Sequence, residues 1–212
     1  LNGFYWATVK GYRGSYLTAY NNGDYGVYAF DAVDGVLDHS YATGSPDAGF
    51  YIGQCYPCDA IVNNVVSEYN GLGYSGTNSG GSLYITSSIF RNNKGGLAPN
   101  TLDSELLPPE RETFIIGNLI ENNNNYNSPA TNSTYLSYGN GVVIAGGNNN
   151  IIKNNVIVDH DLYGVILTAS MDVNYWPAHG NRVEENLILS SRKADIAVSG
   201  VSNLANCFEG NY

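Results

Sequence analysis

Apolar residues along this chain come in short bursts separated by asparagine, glycine and serine. The stretch Asn148–Asp161, NNNIIKNNVIVDHD, sets two isoleucine–valine runs around an asparagine pair. These runs fit neither the 3.6-residue period of an amphipathic helix nor a simple hairpin. The pattern recurs. A small residue followed by alternating apolar positions opens GFYWA at Gly3, GVYAF at Gly26, GFYIG at Gly49 and GYSGT at Gly73. It continues as GLAPN at Gly96, GVVIA at Gly141, GVILT at Gly164 and DIAVS at Asp195. The first five starts are 23, 23, 24 and 23 residues apart.

A second motif lies between these starts: VLDHSYA, IVNNVVS, ITSSIFR, IIGNLIE, IKNNVIV and VEENLIL. Its central column reads His39, Asn64, Ser88, Asn118, Asn155, Asn186, and the apolar column three before it reads Val36, Ile61, Ile85, Ile115, Ile152, Val183. A period of about 23 residues with short β-branched strands predicts a parallel β-solenoid, in which each coil buries its apolar face by stacking on its neighbours. Eight starts predict about eight coils, a rod roughly 40 Å long at the strand spacing of ~4.8 Å. Parallel crossovers are almost always right-handed. The asparagine column is expected at a corner between strands, where Asn tolerates left-handed backbone and its amide bonds local backbone. It is a structural signal and not a binding site.

With these repeats, and with the phrases GFYIGQC, LGYSGTN and PNTLDSE, the chain resembles the right-handed parallel β-helix proteins of the pectate-lyase-like superfamily over essentially its whole length. It is most similar to secreted bacterial proteins described only by their β-helix repeats. The resemblance implies an all-β, single-stranded right-handed parallel β-helix forming one domain, residues 1–212. Polysaccharide lyases, glycoside hydrolases, mannuronate epimerases and NosD-like periplasmic proteins share such repeats, so it leaves the activity open. Lyases of this superfamily typically carry an arginine base beside a calcium-binding Asp cluster, and no such set transfers here residue by residue. NosD-type metal delivery ranks third, because clustered His, Met or Cys ligands are lacking.

Function is expected where the repeat breaks. Start to central column takes 13 to 15 residues in four coils but 22 from Gly96 to Asn118 and from Gly164 to Asn186. The two insertions, 100–112 and 169–180, fall at one corner and flank the short corner Ala145–Asn150 of the coil between them, which predicts a cleft. One wall carries Asp103, Glu105, Glu110, Arg111 and Glu112; the other carries Asp172, Tyr175, Trp176 and His179. Carboxylates opposite aromatic rings suit a sugar. Asp103, Glu105 and His179 are the catalytic candidates; Arg111, Asp172, Tyr175, Trp176 and the floor residue Asn148 are the substrate-binding ones. The alternative is that these are solvated loops stiffened by Pro108, Pro109 and Pro177. A third insertion, 123–138, lies at another corner and carries an Asn132 glycosylation sequon that would be idle in a bacterial protein.

Alternation also predicts an outward column on the first strand of each coil: Tyr5, Tyr28, Tyr51, Ser75, Ala98, Val143, Ile166, Ala197. An apolar outer face suggests assembly, with a second copy or a partner protein meeting Tyr28, Tyr51, Val143 and Ile166. The chain is therefore read as a polysaccharide-binding or polysaccharide-modifying protein, or alternatively as a non-catalytic surface or periplasmic scaffold. A lyase, an epimerase or a glycoside hydrolase is the expected activity if it is an enzyme.

Composition narrows this further. The 212 residues include 25 Gly and 18 Tyr but only 13% charged side chains. A net charge of −10 argues against nucleic acid, and no apolar run reaches the length of a membrane span. An extracellular, cell-surface or periplasmic setting is expected. The opening residues read as the middle of a repeat, so further coils are expected upstream. Cys55 and Cys58, in QCYPC, are a structural disulfide, free thiols, or a metal or redox pair, three alternatives that spacing leaves open. No cofactor is expected. Calcium is the one ion that the acidic turns Asp31–Asp38 and Asp159–Asp161 would suit. VDHDL, which contains the second turn, only loosely resembles an epimerase motif and lacks its proline.

Overall fold

The computed structural model describes residues 1–129, 137–200 and 204–212; Asn132 and its sequon lie outside them. The chain is a right-handed parallel β-helix with three long parallel sheets and no helix among the described residues. The first sheet runs from Phe4–Ala7 through Ala48–Gly53 and Asn140–Ala145 to Ala194–Ser199. The second runs from Arg13–Ser15 through Gly80–Thr86 and Arg111–Ile116 to Cys207–Glu209, and the third from Thr18–Tyr20 to Leu187–Leu189. Strands keep chain order in every sheet, so each coil pairs only with the coils before and after it.

The glycine starts have a steric cause. A Cβ at Gly26 would lie 2.6 Å from the carbonyl oxygen of Gly49, one at Gly73 2.9 Å from that of Gly96, and one at Gly164 2.7 Å from that of Asp195. These starts face the same position of the next coil too closely for any side chain, whereas at Gly49 the obstacle is Ser67 Oγ, 2.1 Å from the Cβ position. Asp195, the exception, sits on the edge strand of the sheet.

Inside the helix the columns are continuous. Val27, Phe50, Tyr74, Leu97, Val142 and Val165 from the first sheet meet Leu37, Val62, Ile85, Ile115, Ile152 and Val183 from the second, all fully buried. Each such side chain contributes on the order of 1.5–3 kcal/mol. The second-sheet column corrects the sequence reading in two coils. Leu37 pairs with Val62 and Val62 with Ile85, so Val36 and Ile61 face outward. A slip of one residue moves a strand's whole apolar set to the other face.

The same slip displaces the corner column. Ser40 Oγ accepts from the Leu17 amide, and Ser88 Oγ accepts from the Val65 amide. The column is therefore Ser40, Val65, Ser88, Asn118, Asn155, Asn186 and Asn211. His39 and Asn64 stand one place earlier, at φ 45° and 54°, in the left-handed seat that Gly117 and Asn154 fill in later coils. Two neighbouring positions divide the work expected of one: the first turns the backbone and the second forms the ladder. The Asn118 amide donates to Asn155 Oδ1, and Asn155 Nδ2 donates to the Ile115 carbonyl and to Asn186 Oδ1, all at 2.9 Å.

Two further ladders complete the corners. Ser45, Asn70, Asn93, Asn123 and His160 line the turn from third to first sheet. Thr113, Asn150, Asn181 and Asn206 line the turn from first to second. Beside the latter, Glu110 is fully buried and accepts from Thr113 Oγ1 and Asn150 Nδ2 at 2.8 Å each. Burial pushes its carboxyl up to about 8 from an ordinary 4.5, against the lowering effect of those bonds. Cys55 and Cys58 form a disulfide, which settles the three alternatives.

Two outcomes are expected. Asn155→Ala strands a buried amide and a buried carbonyl and should cost about 3 kcal/mol, whereas Asn64→Ala, on the exposed left-handed seat, should cost about 1 kcal/mol; urea unfolding of both variants measures this. For Glu110 the folded-state value lies above the unfolded one. Its contribution is whole below about pH 4.5 and is lost as pH rises through about 8. Glu110→Gln should flatten the decline in urea midpoint that the parent shows from pH 5 to 9.

Candidate functional site

The outward column of the first sheet changes character halfway along. Tyr5, Tyr28 and Tyr51 stack in register, with ring centroids 5.3 and 4.5 Å apart. The next three outward positions are Ser75, Ala98 and Val143, whose short side chains leave a hollow at the end of the aromatic stack. Tyr25 leans on that end, 5.0 Å from the Tyr51 ring. The result is a groove of about 590 Å³. Its floor is Ser75, Thr77, Ala98, Asn100, Val143, Ala145 and Thr168. Leu102 and Glu105 line it from the first insertion, Ala169, Ser170 and Met171 from the second, and Ser137 from the third; Tyr25 and Asp47 line it as well.

The two carboxylates of the groove are both bound to tyrosines. Tyr51 Oη donates to Glu105 Oε1 and Oε2 at 3.0 and 2.8 Å. Tyr25 donates to Asp47. Burial pushes Asp47 up to about 6; the Tyr25 bond opposes this and the Asp24 charge adds to it. Glu105 is raised chiefly by burial, with the Tyr51 bond opposing and the Asp47 charge adding. Tyr25, Tyr28 and Tyr51 are all raised first by burial, then by the nearby carboxylates, so they remain neutral donors. The Asp47 charge thus reaches Glu105 within the groove and disfavours its ionisation.

The two long insertions meet rather than stand apart. The second folds into a small hairpin of Ser170–Met171 and Tyr175–Trp176. Asp103 accepts from the Asn174 amide and Asn174 Nδ2 at 2.7 Å each and from Trp176 Nε1 at 3.2 Å, while Asp172 Oδ2 accepts from the Asp103 amide at 2.8 Å. The corner expected as floor is covered: a Cβ at Gly146 would lie 2.9 Å from the Cβ atoms of Ser170 and Trp176. Of the residues singled out in the sequence, Glu105 lines the groove. Asp103, Asp172 and Trp176 form the latch beside it, next to the exposed Tyr175. Arg111, Asn148 and His179 stack in register at the start of the second sheet, outside the groove lining. Arg111 lies 3.5 Å over the Tyr56 ring.

Sequence reasoning missed Asp47 and Tyr25. Their signal was position: Asp47 stands two residues before the Gly49 start and Tyr25 one before Gly26, where the chain enters the outward face. Tyr51 and Val143, expected as open contact surface, are 1% and 9% exposed; the rings of Tyr25 and Tyr28, with Glu105, pack around Tyr51.

Three carboxylates of the acidic turns have partners within the chain. Asp34 faces Arg13 at 3.5 Å, and Asp38 lies 3.4 Å from His39. Asp161 accepts from Tyr138 at 2.7 Å and pairs with Arg192 at 3.3 Å. His160 closes its ladder against Asn123 at 3.3 Å, pushed down to about 4 by burial. Among the described residues one group, Glu184, Cys207 and Glu209, brings three metal-type ligands within 4.8 Å, and Lys153 and Arg182 already pair with Glu184. The groove offers two tyrosine-bound carboxylates and no arginine, so its residues do not fit an arginine-plus-calcium lyase centre.

The A-modules of two mannuronan C-5 epimerases of Azotobacter vinelandii share this fold. AlgE6 matches with a TM-score of 0.56 at 12% identity over 95% of this chain and 64% of the module. AlgE4 matches with 0.52 at 13% identity over 90% of this chain and 60% of the module. The chain thus spans less than two thirds of either, and at such identity the likeness is one of fold. No protein-family model and no curated protein matches the sequence.

The latch yields its own expectation. Hydrogen bonds from Asn174, then Trp176, hold Asp103 below the usual carboxylate range. A depressed carboxyl keeps the latch closed above about pH 4 and releases it as pH falls through the lowered value. Asp103→Ala should speed amide hydrogen exchange at residues 172–176 at neutral pH, with little change in melting temperature.

Proposed function

We propose that this protein binds a polysaccharide along the outer face of its first sheet and acts on it with Asp47 and Glu105. The observation that carries this is the pairing, in one groove, of two burial-raised carboxyls that each accept from a tyrosine. The floor suits a sugar chain: Ala98 and Val143 offer apolar contact to ring faces, while Ser75, Thr77, Asn100 and Thr168 offer hydroxyls and an amide to ring hydroxyls. Tyr25, leaning on the Tyr28–Tyr51 stack, lines one end with an aromatic ring. One carboxyl protonates a departing oxygen or ring carbon and the other withdraws a proton, with Tyr25 and Tyr51 holding the pair in place.

The β-helices of similar fold are modules of enzymes that act on mannuronan, which supports a polysaccharide as the ligand. The Cys55–Cys58 disulfide supports an extracellular or periplasmic setting. The scaffold reading has less to stand on, because Tyr51 is already buried within the single chain.

Ala98→Trp tests the location. Ala98 packs in the small outward cluster with Ala48, Leu72 and Val143, apart from the corner ladders and the interior columns, and an indole there is directed into the groove. Binding to a polysaccharide panel should fall at least tenfold in affinity electrophoresis while the melting curve stays close to the parent's. Glycan binding that survives Ala98→Trp, or a parent that binds no glycan, overturns the reading. Where turnover is seen, Glu105→Gln should lower kcat by roughly 10²–10⁴.

A further inference from the structure

The charge around the groove separates two classes of polysaccharide. All nine Lys and Arg residues lie in described segments, and the undescribed residues 130–136 and 201–203 contain no charged residue in their sequence. None of the nine, and none of the three His, lines the groove. Most have partners elsewhere. Arg91 binds Glu68 at 2.7 Å, Lys153 binds Glu185 at 3.2 Å, Arg192 binds Asp161 at 3.3 Å, and Arg111 covers the Tyr56 ring. The groove itself carries Asp47 and Glu105, and the charge of Asp24, outside its lining, acts on Asp47.

A uronic-acid polymer places one carboxylate on every ring. Entering this groove, it would set those charges against two acids in a half-dry site with no cation to offset them, and like charges brought together in an interface weaken binding. The chemistry points the same way. Elimination and C5 epimerisation both remove the proton next to the sugar carboxylate, and the resulting anion needs a cation or strong donors on that carboxylate. Hydrolysis needs none. It requires an acid to protonate the glycosidic oxygen and a carboxylate to serve the anomeric carbon.

Building on the groove reading, we infer that the ligand is a neutral polysaccharide and that the reaction is hydrolysis of its glycosidic bond. The bond between anomeric carbon and glycosidic oxygen breaks. The protonated carboxyl of the pair gives its proton to the departing oxygen, water supplies the hydroxyl at the anomeric carbon, and the water's other proton returns to the carboxylates. No oxidant, reductant or metal enters the balance. This departs from the polyuronate chemistry named for the epimerases of similar fold.

The test is affinity electrophoresis and product analysis of the parent and Ala98→Trp against neutral glucan, mannan, xylan and galactan beside polymannuronate and polygalacturonate. The expected result is binding of at least one neutral polymer, insensitive to salt, abolished by Ala98→Trp, and accompanied by new reducing ends without the ultraviolet absorbance of an unsaturated uronate. Asp47→Asn/Glu105→Gln should stop that release and raise polyuronate affinity roughly tenfold. A parent that binds a polyuronate through the groove and ignores the neutral polymers overturns this inference and leaves the groove reading intact. So does a neutral polymer bound without release of reducing ends, as regards hydrolysis. A parent that binds nothing in the panel overturns both.

Discussion

Backbone pairing between successive coils is the constraint on which everything else in this molecule depends. Parallel strands sit ~4.8 Å apart, so any position in one coil has its equivalent directly above and below it. That spacing forbids a Cβ at all the glycine starts but Gly49 through the facing carbonyl, which leaves no room. It brings the asparagine amides of adjacent coils within hydrogen-bonding distance, so three buried ladders satisfy corner groups that water cannot reach. It also converts any single-residue change of type into a column, and a column into a stripe of surface.

The groove is a product of that conversion. Tyrosine at three successive outward positions builds a stack, and serine, alanine and valine at the next three build a hollow beside it. Corners tolerate insertion because a loop there leaves the ladder of the coil intact. Asn118 and Asn186 bond their neighbours normally although each follows a long insertion. The inserted chain is then free to fold back over the outward face. Glu105 does so from one side and the hairpin at Ser170–Met171 does so from the other, with Asp103 joining them.

Electrostatics gives the groove its character. A charge-poor chain of net charge −10 has few cations, and Arg13, Arg91, Lys153, Arg182 and Arg192 pair with carboxylates away from the groove. Asp47 and Glu105 have no such partner. They hold their place through tyrosines, whose hydrogen bonds offset part of the burial cost without supplying charge. A site of this kind holds its carboxyls above their ordinary range and offers no cation to an anion.

The columns that define the fold were legible in the sequence because their cause is local and periodic. The register of the first sheet follows the glycine starts at Gly3, Gly26, Gly49, Gly73, Gly96, Gly141 and Gly164 as read. The second-sheet register was misplaced at His39 and Asn64, since an Asn suits the left-handed seat as well as the ladder and the letter alone does not say which. Insertions 100–112 and 169–180 announced themselves as breaks in the period, and Glu105 as one acid among them. What the sequence could not carry was how the loops use their side chains. Asp103 and Glu105 are two residues apart, yet one ties the loops together and the other enters the groove beside Tyr51. Asp47 lies 58 positions before Glu105 in the chain and shares the groove with it only because the stacking of coils brings the first sheet's entry turn and the folded-back loop to one face. Periodic stacking makes a fold readable one residue at a time, whereas a site assembled from different coils exists only once the coils are stacked.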